Sequence, residues 1–344
     1  MEHPMQILRH EAFARAGVVG NPSDGCDGCT ISMIVRNFRA RVVLYEWDRL
    51  EIVPTFQDQS SFRSIRELAN DVELHGYYGG IRLIKATIRK FIEYCDRHGI
   101  SLHDRNFSIR YESDIPRQVG LAGSSAIIVA TLRCLMEFYG VVIPCEVQPS
   151  LALSVETEEL RLSAGLQDRV IQVYEGVVSM DFGASVMREV DGFRCGAYEP
   201  IDPARMPPMY LAYGLEIPKP MQAGTRSLIE RYREGNLAVQ DAVEGLRQCA
   251  VTARDAILSG DIVTFCRMID EGFEWRRRIV TIREEYQRMI DTARSLGLCA
   301  GFTGSGGAII GVCSDDATLH RLEEAMHPLH CRVIRPQCGA GRCE

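Results

Sequence analysis

Between Pro116 and Ala126 the chain reads Pro-Arg-Gln-Val-Gly-Leu-Ala-Gly-Ser-Ser-Ala, a stretch of small residues ending in two adjacent hydroxyls. Residues of this kind can bind anions. Gly120 and Gly123, around Leu121 and Ala122, let the backbone approach a phosphate closely. A helix opening at Ser124 would aim its first free N–H groups at the anion, with the helix dipole adding attraction. Ser124 or Ser125 could hydrogen-bond phosphate or ligate Mg²⁺. The same residues also read as a serine-capped helix after a glycine turn, which needs no ligand. The chain has three lysines, Lys85, Lys90 and Lys219, and none follows a glycine-rich loop. A Walker-type P-loop is therefore absent, so phosphate held here is held by backbone, hydroxyls and metal.

Three further segments gather residues able to do chemistry. Ala164-Gly165-Leu166-Gln167-Asp168-Arg169 is a small-residue turn launching a helix, with Asp168 in the first turn, where a carboxylate also complements the dipole. A strand containing Arg15 breaks at Gly20 into Asn21, Pro22, Ser23 and Asp24, all standard turn formers. Thr303-Gly304-Ser305-Gly306-Gly307 lies between two strand-like runs, as a tight hairpin would. Cys26 and Cys29 have the spacing of half a zinc site or a redox pair, but no second C-x-x-C or matching histidine pair completes it.

These residues need elements to hold them. Alternating and β-branched runs predict strands near 12–20, 31–47, 107–115 and 177–182. Helical spacing predicts helices over 79–98, 124–139 and 149–160, with Pro149 in the first turn of the last. After the proline-rich stretch 203–208 a second cycle follows: a strand over 209–216, a helical block over 224–297, a strand running into a glycine turn over 298–307, a strand over 308–313, a helix over 315–326 and a strand over 331–334. The proline-rich stretch is the expected domain boundary, giving domains 1–203 and 204–344. The irregular alternation of strands and helices predicts an α+β fold rather than a doubly wound sheet.

With 344 residues the chain is long enough for two well-cored domains. A net charge of −7 disfavours nucleic acid or an anionic membrane as partner. No apolar run reaches transmembrane length, and the N-terminus lacks the apolar core of a secretory signal. Thirteen cysteines, odd in number and scattered through apolar segments, suggest reduced, buried thiols in a cytoplasmic protein.

Taken together, the motifs resemble the GHMP kinase superfamily, the galacto-, homoserine, mevalonate and phosphomevalonate kinases. Pro116 to Ala126 is similar to that family's P-x-x-x-G-L-G-S-S-A phosphate loop, Arg15 to Asp24 to its first motif, with Asn21 and Pro22 in place of Glu and His, and Thr303 to Gly307 to its T-G-x-G-G turn. Within the superfamily, Gly20 to Asp24, Gly76 to Gly80, Ile115 to Gln118, Ala164 to Val170 and Phe302 to Gly307 resemble the glucuronokinase branch. The chain departs from that branch after Asp24, where an aromatic-rich stretch is replaced by Cys26 to Cys29.

The resemblance implies a two-domain fold, with an N-terminal ATP-binding α+β domain and a C-terminal ferredoxin-like one. It implies ATP and Mg²⁺, and a sugar phosphorylated on its anomeric hydroxyl, D-glucuronate before a hexose, heptose, galacturonate or cyclitol. It also leaves open a catalytically silent sugar or nucleotide sensor. Asp168 would orient and deprotonate the acceptor, paired with Arg15. Pro116, Gly120 to Ala126 and Gly304, Ser305 and Gly306 would hold the nucleotide. Asn21, Ser23, Asp24, Tyr78 and Gly79 would line the sugar, and Ser124 with Glu156 would hold the metal, Ser125 and Glu158 or Glu159 being the alternatives. An anionic substrate calls for an arginine at its carboxylate, which the sequence does not single out. The expected partners are small molecules, with the chain a monomer or homodimer.

Overall fold

The first long apolar runs fold into β1 (Ile7–Val19) and β2 (Cys29–Trp47), an antiparallel pair whose register breaks between Phe13 and Ala14 and again between Gly17 and Val19. The computed structural model describes residues 7–54, 79–215 and 224–343. At 19 residues β2 is long enough to pair with β1 on one edge and two strands on the other: β5 (Val177–Asp181) along Cys29–Met33, and β4 (Asn106–Ser113) along Ala40–Trp47. β3 (Glu51–Ile52) extends the sheet beside β4, and β8 (Ala197–Ile201) beside β5. The short hairpin β6 (Arg188–Val190) and β7 (Phe193–Cys195) has no counterpart among the predicted strands, being three-residue strands with little apolar content.

Over this sheet lie α1 (Gly80–Arg97), α2 (Gly123–Tyr139), α3 (Gln148–Ser154) and α4 (Gln167–Tyr174). The helix predicted over 149–160 is α3 continued by a π-helical turn, Val155–Glu159. That turn carries Glu156, Glu158 and Glu159.

The second cycle begins at β9 (Met209–Gly214). The predicted helical block is four helices, α5 (Gly224–Arg233), α6 (Leu237–Ser259), α7 (Ile262–Ile279) and α8 (Glu284–Ser295). β10 (Gly301–Phe302), β11 (Ala308–Val312), α9 (Asp316–Met326) and β12 (Cys331–Ile334) complete it. The antiparallel sheet order β10-β11-β9-β12 is that of a ferredoxin-like unit. Period-two alternation puts Met209, Leu211 and Tyr213 into the large core shared with the first sheet, and Tyr210 and Ala212 into a second core with Tyr286, Ile290 and Leu322.

The segment after β12 runs back to the first sheet. Arg36 N–H donates to Gln337 O at 2.7 Å, and Arg342 N–H to Tyr174 O at 2.7 Å. Cys343 is thereby brought to Cys145, 198 positions away, and the two are disulfide-bonded. This corrects the expectation of thirteen reduced thiols. The pairing depends on the tail's return path, which cysteine spacing does not reveal. The other eleven cysteines are free. Among the described residues, no helix is long and apolar enough to cross a membrane.

Candidate active site

The glycine loop leads into α2 through three residues of positive φ: Gln118 (58°), Gly120 (77°) and Ala122 (61°). Ala122 is the N-cap, no side chain caps the helix, and its first turn carries no acid. Neither serine therefore caps: Ser125 Oγ donates to Ala122 O at 3.2 Å, and Ser124 Oγ to Glu156 Oε1 at 2.9 Å. The first N–H groups of a 17-residue helix stay available to an anion. The glycine hairpin between β10 and β11 packs against this loop. A Cβ on Gly120 would lie 2.9 Å from Ser305 N, and one on Gly304 would overlap Gly120 O.

Asp168 sits in the first turn of α4 and Arg15 on β1, just beyond the register break at Phe13. Arg15 Nε donates to Asp168 Oδ1 at 2.6 Å. Its Nη1 donates to Gly120 O at 2.8 Å and also to Thr303 O, so one buried guanidinium joins the carboxylate, the loop and the hairpin. Arg169 Nη1 lies 3.6 Å from Asp168 Oδ2.

The three candidate metal-ligating acids separate. Glu156 is buried, bonded to Ser124 and ion-paired with Arg169. Glu158 pairs with Lys90 at 2.7 Å and Glu159 with Arg89 at 3.2 Å, both on α1. Only Glu156 of the three lines the cavity beside Ser124, while Ser125 is buried away from it. A hydroxyl and a carboxylate are hard oxygen donors of the type Mg²⁺ takes, and that ion needs only one or two from protein.

These groups border one cavity of about 430 Å³, which Pro116, Leu121, Gly123, Gly304 and Ser305 also line. Asn21 and Asp24 reach it from the turn after β1. Asp24 Oδ2 accepts from Gln167 N–H at 3.2 Å, and Gly165 has no Cβ to strike that carboxylate. Burial first, and then the negative charge of Asp168, push the Asp24 carboxyl above its usual range, against the Gln167 hydrogen bond and the positive charges of Arg15 and Arg169.

Some expected positions lie elsewhere. Ser23 is buried with its hydroxyl donating to Cys29 O at 3.2 Å, so it shapes the turn and does not line the cavity. Ala126 and Gly306 do not line the cavity. Gly79 precedes α1 and is replaced at the wall by Gly80, while Tyr78 lies outside the described residues. Cys26 and Cys29 enter different apolar clusters. Burial pushes both thiols up to about 12, an environment for inert cysteines.

Of the cavity residues that escaped sequence reasoning, one is charged and deeply buried. Arg276, in the last turn of α7, is 4% exposed and lines the wall. A signal exists: Phe265, Met268, Ile269, Phe273, Arg276 and Ile279 form the buried stripe of α7, so an arginine occupies a core position on an amphipathic helix.

The chain is similar to known proteins over most of its length. Residues 82–176 match the GHMP kinases N terminal domain, and residues 253–332 match GHMP kinases C terminal. Glucuronokinase 1 of Arabidopsis thaliana is 38% identical over 325 residues, covering 92% of this chain and 88% of that protein. Probable glucuronokinase 2 of the same plant is 39% identical, covering 92% and 87%. The crystal structure of Lactococcus lactis galactokinase complexed with galactose has the same fold, with a TM-score of 0.76 at 12% identity, covering 98% of this chain and 94% of that one.

Proposed function

The chain belongs to the GHMP kinases, and on that premise we propose that it transfers the γ-phosphoryl group of ATP to the anomeric hydroxyl of D-glucuronate, giving D-glucuronate 1-phosphate. One observation carries the reading: the uncapped N-terminus of α2 and an arginine-held carboxylate, Asp168, border the same cavity. The choice of D-glucuronate is supported by the two Arabidopsis relatives.

Phosphoryl transfer needs in-line positioning and charge neutralisation more than covalent help. As a GHMP kinase the protein uses ATP with Mg²⁺. Ser124 and Glu156 would hold the ion, which when bound neutralises charge on the phosphates. The N–H groups of the first turn of α2 grip the phosphate chain. Asp168 accepts a hydrogen bond from the anomeric hydroxyl, aims its oxygen at phosphorus and takes the proton as the new O–P bond forms and the bond from the γ-phosphorus to the bridging oxygen breaks, releasing ADP. Arg15 fixes the Asp168 carboxylate in that orientation. Asp24 accepts hydrogen bonds from ring hydroxyls. The two domains divide at 203/204, and the eleven free thiols favour the cytosol.

The test is ADP release from ATP across D-glucuronate, D-galacturonate, neutral hexoses, heptoses and cyclitols. Turnover should be fastest with D-glucuronate, and the product should lack a reducing end. Binding of ATP without turnover of any sugar would favour a silent sensor instead.

A further inference from the structure

Four arginines border the cavity, and three are accounted for. Arg15 holds Asp168, Arg169 holds Glu156, and Arg117 is exposed on the glycine loop. Arg276 differs. No carboxylate among the described residues lies within ion-pair distance of it. Its Nη1 reaches Asn21 Oδ1 at 3.4 Å, its Nε is buried without an acceptor, and its guanidinium lies 5.0 Å from the centre of the Phe302 ring. Burial and the neighbouring charge of Arg15 lower it to about 10, which leaves it cationic at neutral pH. A buried cation without a counter-ion is half of an ion pair. Guanidinium presents a planar fork that a carboxylate completes with two hydrogen bonds.

We propose that Arg276 receives the carboxylate of the sugar and is the residue that selects a uronate over a neutral hexose. This rests on the sugar 1-kinase reading above. In a pyranuronate the anomeric carbon and the carbon bearing the carboxylate are both bonded to the ring oxygen, so the acceptor hydroxyl and the carboxylate share one edge of the ring. The residue holding the carboxylate must therefore stand beside the residues handling the anomeric oxygen. Arg276 does so: its Nη1 reaches Asn21 Oδ1, Asn21 Nδ2 donates to Phe302 O at 2.8 Å, and the carbonyl of the adjacent Thr303 accepts from Arg15, which is bonded to Asp168. Asn21, against which Arg276 rests, belongs to the turn that brings Asp24 into the cavity. The γ-phosphate is the weaker candidate for this cation, because the uncapped end of α2 already supplies donors for phosphate.

The experiment compares kcat/KM for D-glucuronate and for D-glucuronamide, its neutral isostere, in the wild type, Arg276→Met and Arg276→Lys. The wild type should prefer the acid. Arg276→Met should lose about 100-fold on D-glucuronate, change by less than about threefold on the amide and keep its KM for MgATP. Arg276→Lys, with charge but no fork, should recover part of the loss on the acid alone. The shift in Tm on adding MgADP verifies that both variants are folded, and the lysine variant suffices if the methionine one is not. A methionine variant that still prefers the acid overturns the assignment while leaving the uronate reading intact. Equal loss on both sugars with a raised KM for MgATP overturns it in favour of phosphate binding. A wild type indifferent between acid and amide overturns both.

Discussion

Asp24 and Asp168 are two carboxylates facing one cavity, and their environments differ. Asp168 is held by Arg15, whereas Asp24 is pushed up by burial and by Asp168 itself. A carboxyl whose folded pKa is raised binds its proton more tightly folded than unfolded, so its ionisation opposes folding above its ordinary value of 3.8. Asp24→Asn should therefore raise Tm at pH 7 while impairing sugar use. The gain should fade as the pH drops through the folded pKa and vanish below about 3.8. Thermal unfolding at pH 7 and pH 3.5 checks this, and an equal gain at both would refute it. The serines make a second residue-level contrast. Ser124→Ala should raise the KM for MgATP by about tenfold, on the scale of a lost charge-assisted hydrogen bond. Ser125→Ala should leave that KM nearly unchanged, and the reverse order would move the metal site by one residue. The resemblance favours Ser124 over Ser125, but the physical ground for that order, Glu156 approaching Ser124 from a separate element, is not visible in the sequence.

Glycine-defined elements were the easiest to read. The loop at Gly120 and the hairpin at Gly304 have sequences that only a few backbone shapes accept. Their mutual packing explains why: neither glycine leaves room for a side chain where the two turns meet. Gly304→Ala should lower kcat/KM more than tenfold, because the methyl overlaps Gly120 O and crowds the Arg15 guanidinium. Gly297→Ala, at φ 78° but facing open space, should cost only the backbone strain of about 1 kcal/mol and leave activity alone. Kinetics of the two variants side by side test the distinction. The end of the helix predicted over 149–160 was harder to read. At a 3.6-residue period Glu156 and Glu159 fall on the same face, so the spacing alone does not choose between them. The π turn, with the Lys90 and Arg89 pairs on α1, is what leaves Glu156 alone facing the cavity. Arg276 shows in the sequence only as an arginine at a core position of an amphipathic helix; its meaning comes from having no counter-ion among the described residues.

At the scale of the molecule, the cavity is built from both halves of the chain. Arg15, Asp168 and the glycine loop come from the first half, the hairpin and Arg276 from the second. The tail fastens one half to the other. Buried Glu175 gathers Arg36 at 2.5 Å, Arg133 at 3.2 Å and the tail's Arg342 at 4.0 Å. Glu175→Gln would leave the buried guanidinium of Arg133 uncompensated and should lower stability by about 3–5 kcal/mol in denaturant unfolding, with the KM values of the remaining folded enzyme unchanged. The role proposed for Asp168 is that of the base in an ATP-dependent sugar 1-kinase. It is tested most directly by measuring ADP release with D-glucuronate for the wild type and Asp168→Asn, alongside MgADP binding by each. Turnover should fall by about 10³-fold or more in the variant, with nucleotide affinity nearly intact. Turnover within tenfold of the wild type would contradict it.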